Sequence, residues 1–166
     1  MKTKLLAIIA FCVSASAMAQ VSEWTLRDVP DQTGTIYRQE VIGISTRDSV
    51  TKRSRTAISL VCTQVPRSAK IFIQWENIQG YGDRKVNYTV DSRSTPNGSP
   101  FVMKQENDIL YRDLESSREL LQAMKTGSIL TVDWVGFDQT RYLTAFNLST
   151  FRSNLSEFNK RCNTDF

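Results

Sequence analysis

Two cysteines constrain this chain's fold more than any other pair of residues: Cys62, in the run TAISLVCTQ, and Cys162, close to the end of the sequence. A bond between them would close a loop of about 100 residues and tie the final helix to an internal strand. Whether they pair depends on the compartment, and the first residues bear on that. The sequence opens MKTKLLAIIAFCVSASAMAQ, with Lys2 and Lys4 ahead of an apolar run from Leu5 to Val13 and small residues ending Ala17-Met18-Ala19. That order describes a secretory leader, residues 1–19, with cleavage expected after Ala19. Cys12 leaves with the leader, and Phe11 before it is too large for a lipidation signal. An exported product, periplasmic or secreted, that keeps two cysteines reads as a Cys62–Cys162 disulfide. With no histidine in the chain, a reactive thiol would have no imidazole to activate it.

Residues 20–166 then form a single β-rich exported domain, long enough for a core of its own. The leader carries two lysines and no acid, so the formal charge falls from +4 to +2 on cleavage. So small a charge gives no reason to expect nucleic acid or membrane binding. No segment after the leader approaches the roughly 20 apolar residues of a transmembrane helix.

Period-two alternation dominates the domain. TGTIYRQEVIGIST sets Ile36, Arg38, Glu40, Ile42 and Ile44 against Tyr37, Val41 and Gly43. TAISLVCTQ puts Ile58, Leu60 and Cys62 on one face, and AKIFIQWEN does the same with Ile71, Ile73 and Trp75. Val86, Tyr88 and Val90 alternate in RKVNYTVDS, Leu130, Val132 and Trp134 in ILTVDWVGF, and Tyr142, Thr144, Phe146 and Leu148 in RYLTAFNL. Each run predicts a strand. The strand at Trp75 and the strand at Val86 are expected to form a hairpin across QGYGD, and the last two strands an antiparallel pair. Shorter strands are expected at 101–104 and 108–111.

Two segments change period. In SSRELLQAMKTG, Ser116 and Glu119 have capping-box spacing, Leu120, Leu121 and Met124 make an apolar side, and Gly127 can end the helix. Near the C-terminus, Phe151, Leu155, Phe158 and Cys162 step by four, three and four after a possible cap at Ser149 or Thr150. The fold class is therefore all-β dominated, a β-sandwich or curled antiparallel sheet, with a short internal helix and a disulfide-stapled C-terminal helix.

Without histidine, the usual serine and cysteine hydrolase arrangements and imidazole zinc sites are excluded, and no nucleotide-binding glycine loop is present. No cofactor or metal is expected. Asp91, Asp108, Asp133 and Asp138 could in principle meet as paired carboxylates, although their turn and polar-face positions suit solvated surface better. Two features suit partner binding. RDSVTKRSRT gathers Arg47, Lys52, Arg53 and Arg55 around a single Asp48, a basic loop that either stands as a solvated charge run or meets an acidic partner, an anionic lipid head group or a polymer such as lipopolysaccharide. Tyr81 lies between two glycines, either projecting as an anchor or folded back over the sheet.

The strand ending LVC, then AKIFIQWEN, GDRKVNYTVDS, an aliphatic helix and the closing LTAFNLSTFRSNLSEFNKRC resemble the VasI-like family of type VI secretion accessory proteins. The match runs roughly from Ser22 to Cys162 and rests on Cys62, Val86, Tyr88, Asp91, Phe146, Leu148 and Cys162. Where that family often carries tryptophan, this chain has Phe101 and Asn163. The resemblance implies a non-enzymatic envelope protein that acts through protein–protein contacts, and it transfers no catalytic residue. An exported inhibitor, immunity or superinfection-exclusion protein, blocking a lytic enzyme or an incoming phage, is the alternative.

Overall fold

The computed structural model describes residues 24–30, 32, 36–44, 56–64, 67–75, 80–91, 93–94, 101–136 and 139–166. The expected leader 1–19 and its cleavage point, the basic residues Arg47, Lys52, Arg53 and Arg55, and Asp138 lie outside them. Ten strands are described: β1 Thr25–Pro30, β2 Ile36–Ile44, β3 Thr56–Gln64, β4 Arg67–Trp75, β5 Tyr81–Val90, β6 Arg93–Ser94, β7 Phe101–Glu106, β8 Ile109–Asp113, β9 Ile129–Val135 and β10 Arg141–Asn147. Helix α1 covers Arg118–Thr126 and α2 covers Phe151–Cys162. The strands form one sheet in the order β1-β2-β3-β4-β8-β7-β5-β9-β10, with β6 beside β5. Every pairing is antiparallel.

Ring contacts show how strongly this sheet curls. β4 and β9 are four interstrand steps apart, about 19 Å if the sheet were flat at about 4.8 Å per step. Yet the Trp75 and Trp134 rings have centroids 5.1 Å apart, and Trp75 lies 6.2 Å from Tyr142 on the last strand. The sheet therefore wraps around its own core, which settles the choice between a sandwich and a curled sheet. Trp24, just before β1, joins the two ends. Its indole Nε1 donates to the Asn147 carbonyl at 2.6 Å, and its ring packs on Phe146 and Phe151.

The inward sets are those that the alternation marks out: Ile58, Leu60 and Cys62; Ile71, Ile73 and Trp75; Leu130, Val132 and Trp134; and Phe146, all buried in one cluster. Onto it α2 lays Phe151, Leu155, Phe158 and Cys162, and α1 adds Leu120, Leu121 and Met124. Cys62 and Cys162 form the disulfide, with Cα atoms 6.1 Å apart, a usual separation for the bond. The Gln39 side-chain amide packs against both sulfurs, at 3.8 and 3.5 Å. Polar ties hold α2 as well. Arg161 donates twice to Asp28 of β1, and Arg118 reaches Asp165, holding that carboxyl below its ordinary range.

Three local expectations need correction. β4 and β5 do not form a hairpin, because the β7–β8 hairpin is inserted between them. The link from Trp75 to Tyr81 can reach about 20 Å, enough to cross the three interstrand steps of about 14 Å, so adjacency in sequence did not force pairing. The capping box of Ser116 and Glu119 does not form either. The chain enters α1 through a 3-10 turn, Glu115–Ser117, which moves the N-cap to Ser117, whose hydroxyl donates to the Asp113 carbonyl instead. Thr150 does cap α2 by position, but its hydroxyl accepts from the Trp24 amide rather than from the helix.

Gly43 shows how tightly Trp24 is seated. A Cβ built there would lie 2.8–2.9 Å from three atoms of the indole ring. Trp24 is held at its amide, its carbonyl and its Nε1, so the ring cannot swing away cheaply. Gly43→Ala is therefore expected to destabilise the fold by about 1–3 kcal/mol, the usual cost of overpacking. An unchanged urea midpoint would show that the seat is looser than this.

Candidate binding surfaces

With the core and both helices on the inner side, the outward positions of β4, β8, β7, β5 and β9 form an outer face. Tyr81 opens β5 on it and is 63% exposed, which settles its orientation in favour of the projecting arrangement. Its backbone is braced from both sides. The Asn107 amide donates to the Gly80 carbonyl at 2.8 Å, while the Arg84 guanidinium donates to the Tyr81 and Asp83 carbonyls and to Gln105 Oε1. Partial desolvation lowers the Arg84 pKa and Asp83 raises it in part, and the group stays a cation at any ordinary pH. Gly82 follows with φ of 102°, a left-handed conformation that glycine adopts without strain. A rigid strand start thus presents a single exposed aromatic.

The pairing register places several turns at this same end of the sheet. Thr56 pairs with Trp75, the Trp75 amide donates to the Asp108 carbonyl, and Tyr81 pairs with Glu106. Ile44 and Thr56, the strand ends that flank the basic residues Arg47, Lys52, Arg53 and Arg55, belong to this end. The disulfide and α1 lie toward the other.

The aspartates do not assemble into a shared site among the described residues. Asp91, at φ 52°, accepts from the Ser128 and Ile129 amides and so clamps the start of β9. Asp133 pairs bidentately with Arg141, at 2.8 and 2.6 Å, and Asp108 accepts from Gln74 Nε2 at 3.3 Å. No group of three or more cysteine or carboxylate side chains is placed to hold a metal ion among the described residues. No helix among them is long and apolar enough to cross a membrane.

Shallow clefts lined by described residues lie on the outer face. One, of about 420 Å³, lies over β5, β9 and β10 and is lined by Asp83, Lys85, Asn87, Asp133, Gln139 and Arg141. Two of its charged groups, Asp133 and Arg141, are engaged with each other. Another, of about 400 Å³, lies over β4 and β8, with Phe72 and Tyr111 among its walls. Sequence reasoning assigned neither cleft. The available signal was Phe72, an aromatic on the side of β4 opposite Ile71, Ile73 and Trp75. No protein-family model, curated protein or solved structure matches this chain.

Proposed function

We propose that this chain is a non-enzymatic exported binding module that acts through protein–protein contacts in the cell envelope, in the manner of the type VI secretion accessory proteins that its sequence resembles. Tyr81 is the single observation that most supports this reading. Exposed aromatics on rigid, pre-organised backbone are the residues that most often dominate interface energetics, because little entropy is lost when they are buried. The disulfide suits a domain meant to work outside the reducing cytosol. The basic residues Arg53 and Arg55 favour an acidic surface on the partner.

The test is capture from envelope extract with residues 20–166, beside Tyr81→Ala and an Arg53→Glu, Arg55→Glu double variant. A specific partner should be retained by the unaltered protein, and its affinity should fall about 30-fold on Tyr81→Ala, the scale of a hot-spot loss. The charge reversal should slow association most strongly at low salt. A partner held equally by all three proteins would remove Tyr81 and the basic residues from the interface. Failure to capture any partner would count against stable docking and favour transient inhibition.

A further inference from the structure

The cleft over β4 and β8 is explained by neither the core, the disulfide nor the surface around Tyr81. Phe72 and Tyr111 stand directly opposite each other across the β4–β8 ladder, with ring centroids 6.2 Å apart and planes tilted by 34°. Both are half-buried, and the Lys70 ammonium lies over the Tyr111 ring, which leaves Phe72 as the platform and Tyr111 as the wall beside it. Lys70, Glu106, Asn107 and Asp108 make the polar rim. We propose that this cleft binds a neutral carbohydrate, with a pyranose ring laid on Phe72 against Tyr111 and its hydroxyls directed to the rim.

The lining excludes most ligand chemistries. A cation would be drawn to the aromatic faces, but the Lys70 ammonium already lies 5.1 Å from the Tyr111 centroid and would repel it. An anion would meet the carboxylates of Glu106 and Asp108. A wholly apolar ligand would desolvate those carboxylates and the Asn107 amide without giving them partners. An extended peptide could not add as a strand, because β4 is paired on both sides, to β3 and β8, and β8 on both sides, to β4 and β7. What remains is a neutral molecule with one apolar face and many hydroxyls, which is the description of a pyranose.

The rim has the matching groups. The Glu106 carboxylate makes no hydrogen bond or ion pair with a described residue, so both of its oxygens can accept from hydroxyls. Asp108 gives one oxygen to Gln74 and keeps the other. Asn107, held in the β7–β8 turn at φ 55°, offers a side-chain amide that both donates and accepts, and Lys70 can donate. The volume of about 400 Å³ falls in the range of small-ligand clefts.

The experiment is titration of the 15N-labelled mature protein with neutral oligosaccharides of glucose, galactose, mannose and N-acetylglucosamine, each followed by amide shift changes. Saturable shifts confined to residues 70–74 and 106–111 are expected with at least one of these sugars. Tyr111→Ala should weaken that binding about tenfold, Phe72→Ala at least as much, and Arg141→Ala in the other cleft should leave it unchanged. Phe72→Trp, which keeps a ring in place, should retain binding and keeps the test open if Phe72→Ala does not fold. Absence of shifts with every sugar at its solubility limit would overturn the proposal. So would equal binding by folded Tyr111→Ala.

Discussion

Replacing Cys62 and Cys162 together with alanine is expected to lower the free energy of unfolding by about 4–5 kcal/mol, the chain-entropy value for a loop of this size. The two half-cystines are separated by 100 residues, so the bond excludes a large share of the conformations open to the unfolded chain. Reducing the native protein should give nearly the same loss, because the thiols remain packed beside Gln39. In urea the midpoint should fall and the m-value should rise, since an unfolded chain without the bond exposes more surface. The folded arrangement should survive where it remains stable at all. Phe151, Leu155 and Phe158 are buried independently of the bond, and Asn159 and Lys125 both donate to the main-chain oxygen of Phe166. Amide exchange distinguishes this from a local effect: α2 should open with the sheet and not ahead of it. A midpoint indifferent to reductant would show that the staple adds nothing to the packing of α2.

The disulfide was legible from the even cysteine count of an expected exported chain, and two independent periods agreed with it. Cys62 shares period-two phase with Ile58 and Leu60, and Cys162 shares helical phase with Phe151, Leu155 and Phe158. Elements whose cause is tertiary were harder to read. In β1, TLRDVP, the only apolar side chains besides the closing proline are Leu26 and Val29, which fall on opposite faces of a strand. That strand exists because Trp24 anchors its start to Asn147 and Thr150, more than 120 positions away. The entry to α1 departs from the capping-box spacing for a similar reason. Leu114 is fully buried and its amide donates to the Ala69 carbonyl, which fixes the chain before the helix and shifts the cap by a residue. The outer face was legible only as exceptions to alternation. Phe72 stands on the wrong side for the core, and Tyr81 stands between glycines where no core position is due.

Trp75→Ala is expected to cost about 3–5 kcal/mol, the usual loss for a buried tryptophan cut to a methyl. This residue is fully buried, and it is also where the curl closes, since its ring meets Trp134 at 5.1 Å and Tyr142 at 6.2 Å. Removing it deletes contacts between strands that the ladder itself leaves four and five steps apart. Trp75→Phe should cost far less than the alanine change. The indole Nε1 is buried and makes no hydrogen bond with a described residue, so phenylalanine gives up volume but no polar partner. The pair of variants therefore separates two ideas. If ring packing closes the sheet, the alanine variant loses most of the stability and its near-ultraviolet circular dichroism weakens, while the phenylalanine variant keeps both. If the indole nitrogen instead carries a structural hydrogen bond, the two substitutions would be similarly damaging. The first outcome would mean that the aromatic cluster of Trp75, Trp134 and Tyr142 does at one end of the curl what Trp24 and the disulfide do elsewhere: it converts an open antiparallel sheet into a closed body, and so keeps the outer face in a fixed shape.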